Sequence, residues 1–202
     1  MLNIRYRLSE NRPVPIKILE ESAANLSEYE GIPISFEVGS RFEINVKNDA
    51  NRFQLVEKPV NPFIKDYDAY ERPTTLPDRF DLSNWGFFAA FDNGIRVGGA
   101  IAAWNTSGVE MLEGRDDIVC LWDIRIRSAQ RGNKIGRQLF AAVEKWAKER
   151  NCTVLKVETQ DINVPACRFY QYLGCELLHV DENAYPDELN EIQLLWYKDL
   201  SA

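Results

Sequence analysis

The hydrophobic positions of this chain change period several times, and each change marks an element. Ile4, Tyr6 and Leu8 alternate with polar neighbours, which predicts a short strand over 3–8. After Pro13 and Pro15 the spacing becomes helical. Ile16, Leu19, Ala23 and Leu26 predict a helix over 14–28, with Gly31 and Pro33 marking its exit. From 34 to 60 the period returns to two. Phe36, Val38, Phe42, Ile44 and Val46 alternate, a polar cluster fills 47–51, and Phe53, Leu55 and Val56 resume the pattern. That predicts strand, turn and strand, ended by Pro59 and Pro62. Residues 61–83 are the least regular stretch, with prolines separated by Asp66, Tyr67, Asp68, Tyr70, Glu71 and Asp78. A loop of this kind either closes over a cationic ligand or packs on the surface through its tyrosines.

The second half is more regular. Trp85–Phe91 predicts a strand, Asp92-Asn93-Gly94 a hairpin turn, and Ile95–Trp104 the returning strand, with Gly98-Gly99 allowing a twist or bulge. A polar loop covers 105–117. Ile118–Arg127 is apolar on both faces as far as Trp122, which predicts a central strand. Ile135, Leu139, Ala142, Val143, Trp146 and Ala147 form the stripe of a helix over 134–150. A strand over 153–159 follows, so this unit is a right-handed crossover between parallel strands. Asn163-Val164-Pro165-Ala166 opens another helix, which Gly174 closes. Strands over 175–180 and 191–198 complete the chain.

Composition narrows the class. At 202 residues, 45% hydrophobic and 27% charged, the chain suits one globular domain. No run approaches the roughly 20 apolar residues needed to span a bilayer. The first residues lack the apolar core of a signal peptide, so a cytoplasmic location is expected. A net charge of -7 argues against nucleic acid and permits a cationic substrate. Cys120, Cys152, Cys167 and Cys175 form no Cys-x-x-Cys pair; buried free thiols are expected rather than zinc or disulfides. His179 is the only histidine, so a Ser-His-Asp triad would rest on it alone and no metal site is expected.

The candidate chemistry lies between the central strand and its helix. The chain has neither the P-loop pattern nor a Rossmann glycine fingerprint. It has Gln130-Arg131-Gly132-Asn133-Lys134-Ile135-Gly136, a glycine-bearing turn that opens a helix. Backbone N–H groups there can face a pyrophosphate, and Arg131, Lys134 and Arg137 add positive charge.

With Ile124-Arg125-Ile126 before it and Asn163-Val164-Pro165-Ala166, Phe169-Tyr170 and Gly174 after it, this turn resembles the acetyl-CoA motif of the GNAT acetyltransferase superfamily. Lys134 stands where many members carry glycine, and Cys175 where phenylalanine is usual. The resemblance implies a mixed α/β (α+β) fold: a strongly twisted central sheet, helices on both faces, and a V-shaped splay between the two central parallel strands. It implies a single domain over 1–202 whose elaborated region, about 30–83, shapes the acceptor site. Acetyl-CoA is the implied co-substrate, without a metal. Ile124, Arg125, Ile126, Arg131, Gly132, Asn133, Lys134, Ile135, Gly136, Arg137 and Asn163 are the implied cofactor-binding positions.

The resemblance also implies direct attack of an amine on the thioester, with both substrates bound. Tyr170 matches the tyrosine that faces the coenzyme sulfur and is the expected general acid. Glu158 and Asp123, on the two strands that splay, are the candidate bases; each could instead bind the substrate cation or pair with Arg125 or Lys156. Val157-Glu158-Thr159-Gln160, Asn163–Tyr170 and Glu191–Tyr197 are further similar to streptothricin acetyltransferases, which acetylate an amino group of a cationic antibiotic. The expected acceptor is therefore a small cationic amine. The alternatives are a protein or peptide amine, or a CoA-binding module without catalysis. A monomer or a homodimer is expected, with no nucleic acid and no membrane as partner.

Overall fold

A computed structural model of the chain describes residues 15–47 and 52–201, so the strand expected over 3–8 lies outside the described residues. In chain order the elements are β1 (Lys17–Glu21), α1 (Leu26–Glu30), β2 (Phe36–Lys47), β3 (Arg52–Lys65), β4 (Gly86–Asp92), β5 (Ile95–Trp104), β6 (Ile118–Ile126), α2 (Ile135–Lys148), β7 (Val154–Gln160), α3 (Val164–Tyr172), β8 (Glu176–Asp181) and β9 (Gln193–Asp199). Short 3-10 turns fill 66–84. The main sheet runs β1-β4-β5-β6-β7-β9-β8, and β2 with β3 makes a separate ribbon. All neighbours in the main sheet are antiparallel except β6 and β7.

The expected helix over 14–28 is corrected. Residues 17–21 form an edge strand antiparallel to β4, from Lys17 opposite Phe91 to Glu21 opposite Phe87. Helix is confined to Leu26–Glu30. Ile16 and Ile18 pack on the core in strand alternation, and Trp146 Nε1 donates to Glu20 at 3.0 Å. Pairing with β4 outweighs a weak local helical period.

Pro59 and Pro62 do not end β3, which continues to Lys65. The register jumps from Val38 opposite Phe63 to Ser40 opposite Pro59. The prolines lie at this irregularity, in a two-stranded ribbon, where a missing N–H breaks little.

A second irregularity positions the site. Between β5 and β6, Asp123 faces Ile101 but Leu121 faces Ala102. Trp122 is thus an extra residue, a β-bulge that bends β6. Pairing of β6 with β7 runs only from Ile118 opposite Val154 to Leu121 opposite Val157. Beyond it, β6 still pairs with β5, and β7 still pairs with β9 as far as Gln160. Each strand is left with one free edge facing a gap.

Apolar residues cover both faces of the sheet. On one face Ala100, Ala102, Val119 and Leu121 pack against Leu139, Phe140 and Val143 of α2 and Tyr170 of α3. On the other, Ile101, Ala103, Ile118 and Cys120 pack against Leu26 and Tyr29 of α1 and Leu76. Gly99 makes room for Tyr29: a Cβ there would lie 2.6 Å from its ring. All four cysteines are free and buried. Among the described residues no helix is long and apolar enough to cross a membrane.

Candidate active site

A cavity of about 750 Å³ opens where β6 and β7 separate. Its walls come from β6, β7, α3, the 65–76 segment and the 185–191 loop. Asp123, Glu158 and Tyr170 all line it, as do Ile124, Arg125, Ile126, Arg131, Gly132 and Asn163.

Asp123 sits one residue past the bulge. Its Oδ2 accepts from Arg125 Nε at 3.0 Å and from a second guanidinium nitrogen. Its Oδ1 is buried and has no hydrogen-bond partner among the described residues. Burial pushes its pKa above the ordinary carboxylate value, while Arg125 pulls the other way. The Tyr29 hydroxyl, also without a partner among the described residues, is held protonated by burial and by the Asp123 charge.

Glu158 is held differently. Oε1 accepts from the Tyr185 hydroxyl at 2.6 Å and Oε2 from Gln193 Nε2 at 2.8 Å. Gln160 Nε2 bridges Glu158 and Tyr185. These donors are all neutral. Glu158 is a bound carboxylate with both oxygens engaged, whereas Arg125 engages only one oxygen of Asp123.

Tyr170 is buried, and its hydroxyl pKa is pushed up by burial and then by Asp123. The phenol therefore stays protonated at neutral pH. The first turn of α3 holds it in place: Asn163 Oδ1 accepts from Ala166 N at 3.3 Å, capping the helix, and Val164-Pro165 begins it.

The glycine turn has the expected form with one qualification. Gly132 has φ +83° and nothing within 4 Å of a built Cβ, so its backbone is open to approach. Lys134 adopts φ 63°, left-handed, at the N-cap of α2 and makes no side-chain cap. The Gln138 N–H donates to the Lys134 carbonyl, so the N–H groups of Ile135, Gly136 and Arg137 precede the first helical bond. Gly136 is glycine for packing: a Cβ would lie 3.0 Å from Ile126 and 3.1 Å from Phe169. The Ile135 side chain is in the core. Asn133 donates to Gln130, and Arg131 donates to the carbonyls of Ile126 and Ser35. The Arg125 side chain turns to the other side of the strand, to Asp68, Asp123 and the Ile32 carbonyl. Free N–H groups at a helix start, flanked by exposed cations and a gap between two strand edges, fit a pyrophosphate with an extended amide-bearing arm.

Several cavity residues carried no motif. Lys65, at the end of β3, is buried against Glu191, with its ammonium 5.0 Å from the Tyr67 ring and 4.5 Å from that of Tyr70. Tyr67 donates to Glu191 at 3.1 Å. The rings of the irregular loop thus enclose a cation, and it is the chain's own. Aromatic and acidic residues in that loop are a sequence signal, and Glu191 opens a stretch singled out by resemblance; Tyr29 and Tyr185 give none.

Residues 53–175 match the model of the Acetyltransferase (GNAT) family. The chain is 26% identical over 185 residues to a streptothricin acetyltransferase of Escherichia coli, covering 90% of this chain and 94% of that protein. It is 27% identical over 168 residues to that of Streptomyces lavendulae, covering 80% and 82%. In fold it is similar to a Bacillus anthracis str. Ames protein assigned as a streptothricin acetyltransferase and solved in complex with acetyl coenzyme A. That match has a TM-score of 0.73 and 23% identity, covering 92% of this chain and 99% of that one. A nourseothricin acetyltransferase structure gives a TM-score of 0.71 at 22% identity, covering 92% and 98%. The family match takes in more than half of the chain, so the chain belongs to the acetyltransferase (GNAT) family and is an acetyl-CoA-dependent N-acetyltransferase.

Proposed function

We propose that the enzyme acetylates a primary amine of a small cationic acceptor of the streptothricin kind, by direct attack with both substrates bound. The observation that carries this reading is that Asp123, buried and with one oxygen outside the grip of Arg125, lines a cavity that also presents Glu158 and Tyr170. Bound acetyl-CoA supplies an activated thioester. The N–H groups at the start of α2, with Gly132, Arg131, Lys134 and Arg137, hold the pyrophosphate. The free edges of β6 and β7 hold the arm, and the backbone near Ile126 stabilises the oxyanion. Asn163 fixes the start of α3.

Asp123 removes the proton from the acceptor ammonium. A buried carboxylate with a raised pKa and one oxygen outside the grip of Arg125 suits that task better than one already accepting bonds at both oxygens. Glu158, fixed by its neutral donors, attracts the cationic part of the acceptor. Tyr170 donates its proton to the departing sulfur and is restored by the second proton that the nitrogen loses as the amide forms. The 30–83 region, in one domain with the rest, forms the acceptor wall through Tyr67, Asp68 and Tyr70.

Thiol release from acetyl-CoA should be measured with streptothricin, aminoglycosides, polyamines and short peptides. Turnover with streptothricin well above the others supports the reading. Preference for a peptide amine would replace it, and acetyl-CoA binding without thiol release from any acceptor would make the protein a binding module.

A further inference from the structure

The guanidinium of Arg125 serves two carboxylates. It lies between Asp123, on the same strand, and Asp68, in the 3-10 turn after β3. Its Nη1 donates to Asp68 Oδ2 at 3.0 Å and its Nη2 to Asp68 Oδ1 at 3.1 Å, a two-point grip. Nε donates to Asp123 Oδ2 at 3.0 Å. Nη1 also donates to the Ile32 carbonyl at 3.0 Å, and the cation lies 5.0 Å from the Tyr29 ring. The Arg125 side chain is 2% exposed, so its charge acts on these neighbours with little screening by water. Asp68 is 20% exposed, so the second carboxylate sits at the mouth of the cavity rather than in its floor.

We propose that Asp68 is a positioning residue which, by sharing Arg125, holds the guanidinium to one oxygen of Asp123 and so tunes Asp123 for the acceptor. This rests on Asp123 being the base. One cation cannot neutralise two carboxylates fully, and the cluster of Asp68, Asp123 and Arg125 keeps a net negative charge. Asp68 acts on Asp123 in two ways. Its charge disfavours the ionised form of Asp123, in the direction of a raised pKa. Its two-point grip also orients the guanidinium edge, so that Arg125 reaches only one oxygen of Asp123. The groups facing Asp123 are Arg125 on β6, Tyr29 on α1, Asp68 in the 3-10 turn and Tyr170 on α3, with Glu158 lining the same cavity from β7. Of these, Asp68 alone belongs to the irregular segment that helps to wall the acceptor side. The acceptor wall therefore sets the strength of the base it delivers substrate to.

The test uses the full chain with ¹³C-labelled aspartate. The Asp123 carboxyl resonance is assigned by its loss in Asp123→Asn and titrated in the wild type, Asp68→Asn and Asp68→Glu. The midpoint should move to lower pH in Asp68→Asn and return towards the wild type in Asp68→Glu. With streptothricin and acetyl-CoA, the acidic limb of kcat/KM should move the same way, and plateau kcat should fall about tenfold, as misplacement of a reacting group costs. An Asp68→Asn enzyme that loses activity equally at every pH, with an unmoved Asp123 midpoint, overturns the proposal and leaves Asp68 a fastening of the loop. Full kcat in Asp123→Asn would instead overturn the assignment of the base. The carboxyl titration needs no acceptor, so it decides the proposal even if streptothricin is not turned over.

Discussion

Arg125 follows Asp123 by two residues on one strand and engages only one of its carboxylate oxygens, at 3.0 Å from Nε. The other oxygen is buried and outside the reach of Arg125. Asp123→Asn keeps the shape and removes the proposed base, so kcat should fall by about 100-fold or more. Glu158→Gln should keep kcat within about threefold and raise the KM of a cationic acceptor, because it removes an attracting charge and not the reacting group. The base works when ionised, so activity disappears as pH falls through its pKa. Burial raises that pKa, which places the acidic limb of kcat/KM above the range of an ordinary carboxylate. A pH–rate profile of both variants with the wild type checks each point.

Tyr170→Phe removes one hydroxyl from a buried ring. The expected result is a fall in kcat of about 10- to 100-fold with the KM for acetyl-CoA nearly unchanged. The ring itself packs against Phe140 and Phe169, with centroids 6.1 and 5.2 Å away. Retained folding by circular dichroism alongside lost kcat would assign the effect to the proton; unchanged kcat would remove Tyr170 from the mechanism.

Lys134 occupies a left-handed backbone position that glycine adopts without strain. Lys134→Gly relieves about 1 kcal/mol, part of which the freer unfolded chain takes back. Tm should hold or rise by about 1–2 °C. The lost charge should raise the KM for acetyl-CoA about threefold, and added salt should narrow the difference. A drop in Tm would show that the Lys134 side chain holds the turn.

Lys65 and Glu191 form a buried pair, 8% and 3% exposed at the side chain. Lys65→Met leaves Glu191 buried without its cation and should cost about 3–5 kcal/mol in chemical denaturation. Adding Glu191→Leu should recover much of this, because the unpaired charge causes the larger loss. If the double variant is no more stable than the single one, the pair is not the reason for the loss.

Much of the sheet was legible because its signals are local. Ile118–Trp122 is apolar on both faces and is a central strand; Asn93 and Gly94 turn the β4–β5 hairpin with φ of 49° and 80°. The spacing from Ile124 through Tyr170 marked the strand, turn and helix that supply Ile124, Ile126, Gly132, Asn163 and Tyr170 to the cavity. Residues 17–21 were misread as helix because edge pairing with β4 is a tertiary effect that local spacing does not record. The bulge at Trp122 left no mark either, since it exists only in the register between two strands. The Asp68–Arg125 contact joins residues 57 apart, and the sequence alone places both without joining them.

Trp122 has a consequence for how this enzyme can change. Deleting it would bring Asp123 into continuous register with β5 and allow β6 and β7 to zip further together. The deletion would close the gap between the two strands, and it would also take the Trp122 ring away from Phe80 and Trp85, each with its centroid 5.3 Å away. One residue thus holds the cleft apart and pins the 80–85 segment to the sheet. Closing the cleft by losing this residue would loosen that segment in the same step, so the gap is protected by the packing that surrounds it.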